Sequence, residues 1–457
     1  MSNNTTTPPL PTKFIERNIE YLGAEDANLF FASLETQPPV SVRYNPYKTT
    51  TYPQTERVGW CQNGYYLRER TKFTLDPLFH AGVYYPQEAS SMFLEQYIEK
   101  ACATLGRDLT VLDLCAAPGG KSTHLSALLT KDSVVVSNET IKPRAKVLAE
   151  NIEKWGVGNV IVTCSDPERF TALQGIFDIV LIDTPCSGEG MFRKTPDSRG
   201  EWSEESVRLC AARSRRIVAS GYNSLREGGI LIYSTCTYNT IEDEQTVEWI
   251  AKTYNMENFS INPCDDWSVM KTQAAEVECY KFMPHRTKGE GFFITAMQKT
   301  EPTKTISVSK NKTVELASKL QTTEAKRWIN CSGSYSIINH DATIYCLNEN
   351  YINLLNIIKQ NLYIITFGTE IGKFFANDFK PAHPLALFID SNETMLPKID
   401  VDLQTAQEYL RKNVIDPSKF EQGINIVSYN NQAIGYIKRI GTRCNNLYPK
   451  EYRIFNL

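Results

Sequence analysis

No apolar stretch of this chain approaches the length of a membrane span, which argues against channel and transporter functions. Its first residues, MSNNTTTPPLP, lack the basic and apolar segments of a signal peptide, so a cytoplasmic protein is expected. Twelve cysteines are present without a single Cys-x-x-Cys. That argues against a zinc site and a disulfide framework, and fits reduced thiols inside a cell; no metal and no membrane partner are expected. The G-x-G-x-x-G of a dinucleotide site is absent. So is the G-x-x-x-x-G-K-[ST] of triphosphate chemistry, because Lys121 and Ser122 follow Gly119 and Gly120 without the required spacing. A basic excess is also lacking: the net charge is −3. The balance is uneven, however. Residues 301–457 carry 18 Lys+Arg against 15 Asp+Glu, and the first 300 carry 31 against 37. A polyanion would therefore meet local patches rather than a basic whole. With 457 residues, two to four domains are expected.

The stretch DIVLIDTPCSGEGMF (178–192) organises the rest. Ile179 to Ile182 read as a buried strand of a parallel sheet. Asp183, Thr184, Pro185 and Cys186 stand where it ends, and Pro185 with Gly188 and Gly190 makes a loop. A lone cysteine there would read as a small buried hydrophobe. A second stretch changes that reading. GGILIYSTCTYN (228–239) also runs through an apolar strand to a terminal cysteine, Cys236. Ligands of open α/β sheets sit at the carboxyl ends of strands, so two thiols at two such ends predict one site.

Strands and helices alternate from 87 to 300, which predicts a mostly parallel sheet with crossover helices. DLTVLDLCAAPGGKSTHLSALL (108–129) reads as strand, tight loop and helix, with Gly119 and Gly120 letting the backbone approach a ligand. The next strands end at Glu139 and Asp166. An acid after the second strand suits the two hydroxyls of a ribose. Acids ending strands two, three and four, with a glycine loop after strand one, predict a nucleoside-type cofactor; a mononucleotide and S-adenosylmethionine both fit.

DLCAAPGGK, DTPCSG and STCT together resemble the Nop/Sun family of RNA 5-methylcytosine methyltransferases. GVYYPQEASSM (82–92) and MPHRTKGEGFFIT (283–295) extend the likeness, which spans about residues 40–300. The resemblance implies an α/β class I S-adenosylmethionine-dependent fold with a Rossmann-like, mostly parallel seven-stranded sheet. It implies that Cys236 is the nucleophile and that Cys186 assists product release. It also implies that Cys115, Ala116, Ala117, Pro118, Gly119, Gly120, Lys121, Glu139, Asp166 and Asp183 bind the methyl donor or position the base. The chemistry needs a thiol because carbon 5 of cytosine is too weakly nucleophilic to take a methyl group unaided. A thiolate adding to carbon 6 makes it enamine-like. A carboxyl such as Asp183 near ring nitrogen 3 can share a proton there. A second base must then remove the proton from carbon 5, and Cys186 is the candidate.

Outside this region the reading is coarser. The domains expected are a small α+β RNA-binding or positioning region at 1–86, with a disordered leader to about residue 10; the catalytic domain at 87–300; a linker at 301–313; and a β-rich, PUA-like RNA-binding region at 314–457. A helix is expected from about Gln87. Arg43 and Asn45 are candidate substrate-backbone contacts, as is Lys121 for the target nucleotide. Arg286 and Lys288 form a basic pair suited to phosphate. Between 438 and 453 five Lys/Arg, including Lys438, Arg439 and Arg443, interleave with Tyr448 and Tyr452, a mixture suited to RNA backbone and base stacking. FKPAHPLAL and NNLYPKEYRIF resemble the PUA-like tail of bacterial small-subunit ribosomal RNA members of the family. The function expected is methylation of a cytosine in ribosomal RNA, free or within the small ribosomal subunit. Transfer RNA as the substrate, and a non-catalytic RNA-binding assembly factor, stay open as alternatives, though two intact thiols count against the latter.

Overall fold

The structure, a computed structural model, describes residues 8–48, 55–106, 108–304, 314–330, 335–375 and 378–455. Residues 1–7 of the expected leader and 305–313 of the expected linker lie outside the described residues.

Five parallel strands carry the architecture: β1 (Thr110–Asp113), β2 (Val134–Asn138), β3 (Val160–Thr163), β4 (Phe177–Asp183) and β5 (Leu225–Thr235). They lie in the order β3-β2-β1-β4-β5, with Leu112 opposite both Val136 and Val180. Strand order reverses beside β1, which opens a crevice at the carboxyl ends of β1 and β4. Side chains alternate between two layers, as the pleat requires. Val111, Val135 and Ile179 face Tyr97, Leu125 and Leu148, whereas Leu112, Val136 and Val180 face Ile217, Val218 and Val247. Both layers are apolar because crossover helices cover both faces.

The sheet is larger than expected. Antiparallel β6 (Phe292–Lys299) borders β5, followed by Val277–Phe282 and Met270–Ala274, with Met256–Asn258 also on β6. At the opposite edge, β7 (Ile364–Phe367) pairs antiparallel with β3. The sheet thus has ten strands rather than seven. Its β7 comes from the region assigned to a separate C-terminal unit at 314–457, so that boundary does not divide the sheet from the tail. Two further sheets follow. One has five strands between Glu315 and Pro381; the other has four, Lys398–Asp400, Gly423–Tyr429, Gln432–Ile440 and Arg443–Asn446. No helix among the described residues is long and apolar enough to cross a membrane.

Helices Thr12–Leu22 and Ala24–Leu34 precede a three-stranded sheet of Val40–Tyr44, Gly64–Leu67 and Tyr84–Pro86. The helix expected from Gln87 starts later, as a 3-10 turn at Ser90–Phe93 and an α-helix at Leu94–Leu105. The cause is local: the Glu88 carboxylate accepts the amides of Ser90 and Ser91 as a capping group does. Arg43 and Asn45 are not substrate contacts in this structure, because both are buried. Arg43 donates to Gln87 Oε1 at 2.9 Å and Thr123 Oγ1 at 2.6 Å, with its guanidinium over the Trp155 ring. Asn45 donates to the carbonyls of Gly82 and Trp155.

The tail docks on the catalytic domain through Tyr452, whose hydroxyl donates to Glu153 Oε2 at 2.7 Å. Burial pushes the Glu153 carboxyl up to about 7. A raised carboxyl pKa stabilises the fold fully below its ordinary value and loses that contribution as pH rises through about 7. Glu153→Gln is therefore expected to raise the melting temperature at pH 8 and leave it nearly unchanged at pH 5. Thermal unfolding at the two pH values checks this.

Candidate active site

Two loops bring the thiols together. The first leaves β4 at Asp183 and turns through Pro185 to Cys186; the second leaves β5 at Thr235 and begins with Cys236. Since β4 and β5 are parallel neighbours, with Asp183 opposite Ser234, both loops emerge at the same edge. The sulfurs of Cys186 and Cys236 lie 2.8 Å apart, both half-buried and both free thiols. The hydrogen bond to Cys236, together with burial, raises the Cys186 pKa well above that of a free thiol. Gly190 closes the pair from behind: its amide donates to the Cys236 carbonyl at 2.9 Å.

Asp183 stands beside them. Its Oδ1 accepts from Ser234 Oγ at 2.7 Å, and its Oδ2 pairs with Lys121 Nζ at 2.8 Å. Burial works to lower the Lys121 pKa, but Asp183 outweighs it and leaves the ammonium raised. The lysine also sits 5.0 Å from the centre of the Phe292 ring at the start of β6. The carboxyl ends of β4 and β5 thus gather a carboxylate, a held cation and two thiols.

The donor-side residues line the next part of the same edge. Asp113, ending β1, accepts from Ser122 Oγ at 2.7 Å and is pushed up to about 7 by burial. The loop Cys115–Gly120 runs from β1 to the helix Gly120–Leu128. Gly119 has φ +115°, which a side chain would strain, and a Cβ on Gly120 would stand 3.3 Å from the Tyr85 ring. Asn138 accepts the Ala116 amide through its carbonyl and holds the loop to β2. Glu139, just after β2, is buried; its Oε1 accepts the Ile141 amide and its Oε2 lies 3.4 Å from Arg144. Asp166, past β3, is exposed and caps the turn at Pro167–Ala172. Ile141, half exposed, adds an apolar wall beside Glu139. A glycine cradle, an acid after β2, an apolar wall and a further acid after β3 suit a nucleoside with a charged amino-acid tail, as S-adenosylmethionine is.

Several neighbours gave no sequence signal. Glu242 is fully buried in the segment after Cys236, where its charged surroundings resemble an ordinary helix start. Its Oε2 accepts the Ser187 amide at 3.0 Å, and its Oε1 accepts Asn239 Nδ2 at 2.7 Å. Glu189, also fully buried, meets Arg17 of the first helix at 2.6 Å, Trp202 Nε1 at 2.9 Å and the Tyr238 amide at 3.1 Å. Among the described residues, one set of metal-ligating side chain types, unforeseen where no metal was expected, lies in the core: Cys61, Glu95 and His124. His124 Nε2 lies 2.9 Å from Glu95 Oε2, and burial lowers the imidazole pKa to about 4.

The basic candidates divide. Arg286 pairs with Asp26 at 2.7 Å, and Lys288 pairs with Glu56. Both side chains are about half exposed, so each cation expected to meet phosphate also has a carboxylate partner from the N-terminal region. Lys438 and Arg443 are exposed on the last sheet. Arg439 is held by the carbonyls of Phe420 and Gly441. The tyrosines expected to stack on bases face inward: Tyr448 is core and Tyr452 holds Glu153.

Comparison with known proteins accounts for this layout piece by piece. Residues 104–298 match the model of 16S rRNA methyltransferase RsmB/F, residues 10–89 the N-terminal domain of RsmF, and residues 396–454 the RsmF PUA domain. The chain is similar to the RsmB/F methyltransferases in its central region and to RsmF on either side of it. It is accordingly an RNA methyltransferase of the class I fold, and S-adenosylmethionine is its methyl donor. Among curated RsmB/F relatives, ribosomal RNA small subunit methyltransferase F of Serratia proteamaculans is 29% identical over 474 residues, covering 97% of this chain and 96% of that protein. Its Escherichia coli O157:H7 counterpart is 29% identical, covering 89% of this chain and 85% of that protein. Of solved structures, a methyltransferase homologue from Pyrococcus horikoshii is 27% identical with a TM-score of 0.53, over 63% of this chain and 95% of that one. NSun6 from the same organism shares the fold at 20% identity and a TM-score of 0.53, over 64% of this chain and 98% of that one.

Proposed function

We propose that the enzyme methylates carbon 5 of a cytosine in small-subunit ribosomal RNA through a covalent bond between Cys236 and carbon 6. The observation that carries this reading is the pair of thiols 2.8 Å apart, beside the Lys121–Asp183 ion pair. A single nucleophile would need one cysteine; two at one ring fit addition followed by elimination. The RsmB/F match and the ribosomal names of the full-length relatives support the substrate.

In this reading Cys115–Gly120, Glu139 and Asp166 hold the donor along the sheet edge. Bound there, S-adenosylmethionine supplies the methyl group as an electrophile. The target base leaves its stack to reach the pocket, at a cost of a few kcal/mol, roughly. The Cys236 thiolate adds to carbon 6, and charge moves onto the ring. Lys121, kept protonated and in place by Asp183, stabilises that charge on the nitrogen 3 side of the ring. After methylation the Cys186 thiolate takes the proton from carbon 5. The electrons of that bond restore the double bond between carbons 5 and 6, and Cys236 departs with the electrons of the carbon–sulfur bond. The reacting form is the thiolate, so Cys186 first gives its own proton to solvent, against its raised pKa.

Incubation with tritiated S-adenosylmethionine and either small ribosomal subunits, naked ribosomal RNA or transfer RNA tests the proposal. Methyl transfer to subunits or ribosomal RNA, mapped to carbon 5 of cytosine, is expected. Transfer only to transfer RNA, or to another atom, sinks it.

The last sheet is proposed to hold RNA backbone through Lys438 and Arg443, the exposed cations. Lys438→Glu with Arg443→Glu is expected to weaken RNA binding and flatten its salt dependence. For two phosphate contacts, the slope of log affinity against log salt falls by about 1.4 on a single strand. Binding titrations across salt concentrations read this directly.

A further inference from the structure

Beneath the two thiol loops lies a polar cluster that the chemistry above does not use. Ser187 follows Cys186 and Thr237 follows Cys236, so each is bonded to a residue carrying a sulfur. Their hydroxyls approach to 3.3 Å. Asn239 Nδ2 lies 2.7 Å from Thr237 Oγ1 and 2.7 Å from Glu242 Oε1. The other oxygen of Glu242 accepts the Ser187 amide at 3.0 Å, and the Glu242 amide donates back to Asn239 Oδ1 at 2.8 Å. Both Asn239 and Glu242 are buried, at 1% and 0% exposure. The chain Ser187–Glu242–Asn239–Thr237 is therefore a closed bridge between loops leaving two different strands.

Such a bridge is costly unless it does something. A buried carboxyl is disfavoured, and burial holds Glu242 up at about 7. Two apolar loops could pack there without it. What packing alone cannot do is fix one loop against the other within a few tenths of an ångström, because it is not directional; paired hydrogen bonds are. The chemistry asks for that. One sulfur must reach carbon 6, and the other the proton on carbon 5 of the same ring.

We propose that Glu242, through Asn239, is a positioning residue that locks the Pro-Cys loop to the Thr-Cys loop and keeps Cys186 within reach of the methylated ring for product release. The role in release rests on the covalent mechanism proposed above; the locking rests on geometry alone. Glu242 touches neither ring nor donor. Its removal is expected to spare addition by Cys236, which stands on its own strand end, and to impair the step that needs both sulfurs at once.

Three full-length variants test this: Glu242→Ala, which removes the bridge; Glu242→Gln, which keeps an acceptor for the Ser187 amide; and Asn239→Ala, which keeps the acid. Two readouts are taken. Denaturing gels with substrate RNA follow adduct formation and its decay. Diamide, an oxidant that joins neighbouring thiols, reports how often the two sulfurs meet, as the rate of the 186–236 disulfide measured by mass spectrometry; it needs no RNA. For Glu242→Ala, disulfide formation is expected to slow about tenfold or more through lost proximity, with adduct formation within a few-fold of the parent and decay slowed far more. Glu242→Gln should recover both only in part, since its one amide oxygen still accepts the Ser187 amide while its nitrogen faces the Asn239 amide nitrogen, donor against donor. A uniform loss of adduct formation and decay, or a disulfide rate unchanged in Glu242→Ala, overturns the proposal. Should that variant fail to fold, Asn239→Ala makes the same comparison. If neither the parent nor Cys186→Ala forms an adduct with any RNA, the covalent mechanism falls, and with it the release role; the disulfide rates still decide whether Glu242 locks the loops.

Discussion

Cys236→Ala is expected to abolish methyl transfer, whereas Cys186→Ala should leave an RNA–enzyme adduct that survives denaturation. Both changes remove only a half-buried sulfur, so the fold should stand and the difference should be chemical. Without Cys236 nothing adds to carbon 6, and carbon 5 stays too poor a nucleophile; a loss of at least ~10³-fold in turnover is the ordinary scale for deleting a covalent nucleophile. Without Cys186 the first half of the reaction proceeds and the second stalls. Denaturing gels with radiolabelled RNA separate the cases. An adduct that requires Cys186 and not Cys236 would exchange the two roles.

Gly190→Ala should be nearly as damaging, for a different reason. A Cβ at Gly190 would stand 2.7 Å from the Cys236 carbonyl oxygen and 2.9 Å from that of Gly291. Both are backbone atoms of the loop and strand that frame the pocket, so neither can swing aside as a side chain could. The Gly190 amide also donates to that Cys236 carbonyl, and separating the two moves the nucleophile. Overpacking of this kind costs about 1–3 kcal/mol, and a misplacement near 1 Å can cost about 10² in rate. Activity should therefore fall by about 10²-fold or more while the melting temperature drops by only a few degrees. Full activity in this variant would mean the loop has more freedom than its contacts suggest.

Much of this site was legible in the sequence because parallel strands buried on both faces spell themselves as apolar runs, and the residues just past each run land on one edge. Cys186, Asp183 and Cys236 needed no more than that. Other features were hidden for definable reasons. The backbone of Ile364–Phe367 carries no mark of its partner, since strand pairing is a property of two distant segments. Arg43 read as a substrate-backbone contact, yet the Trp155 ring and Thr123 that receive it come from elsewhere in the chain. Arg286 and Lys288 looked free because Asp26 and Glu56 are over 200 residues away. Tyr448 and Tyr452 alternate as stacking residues would, but only the fold shows that they turn toward the interior. Glu242 was lost among the acids of IEDEQ, where composition cannot separate a helix start from a buried clamp.

The pairing of Ile364–Phe367 with β3 also bears on how this protein can be divided. Val160–Thr163 is a fully buried four-residue strand whose free side is closed, among the described residues, by that late segment. Cutting near residue 300 would leave its amides and carbonyls as an open template, ready to recruit a second molecule. A shortened enzyme of that kind should precipitate or form sheet-linked oligomers. During synthesis, too, the ribosome must have passed Phe367 before the catalytic half can seal its own margin.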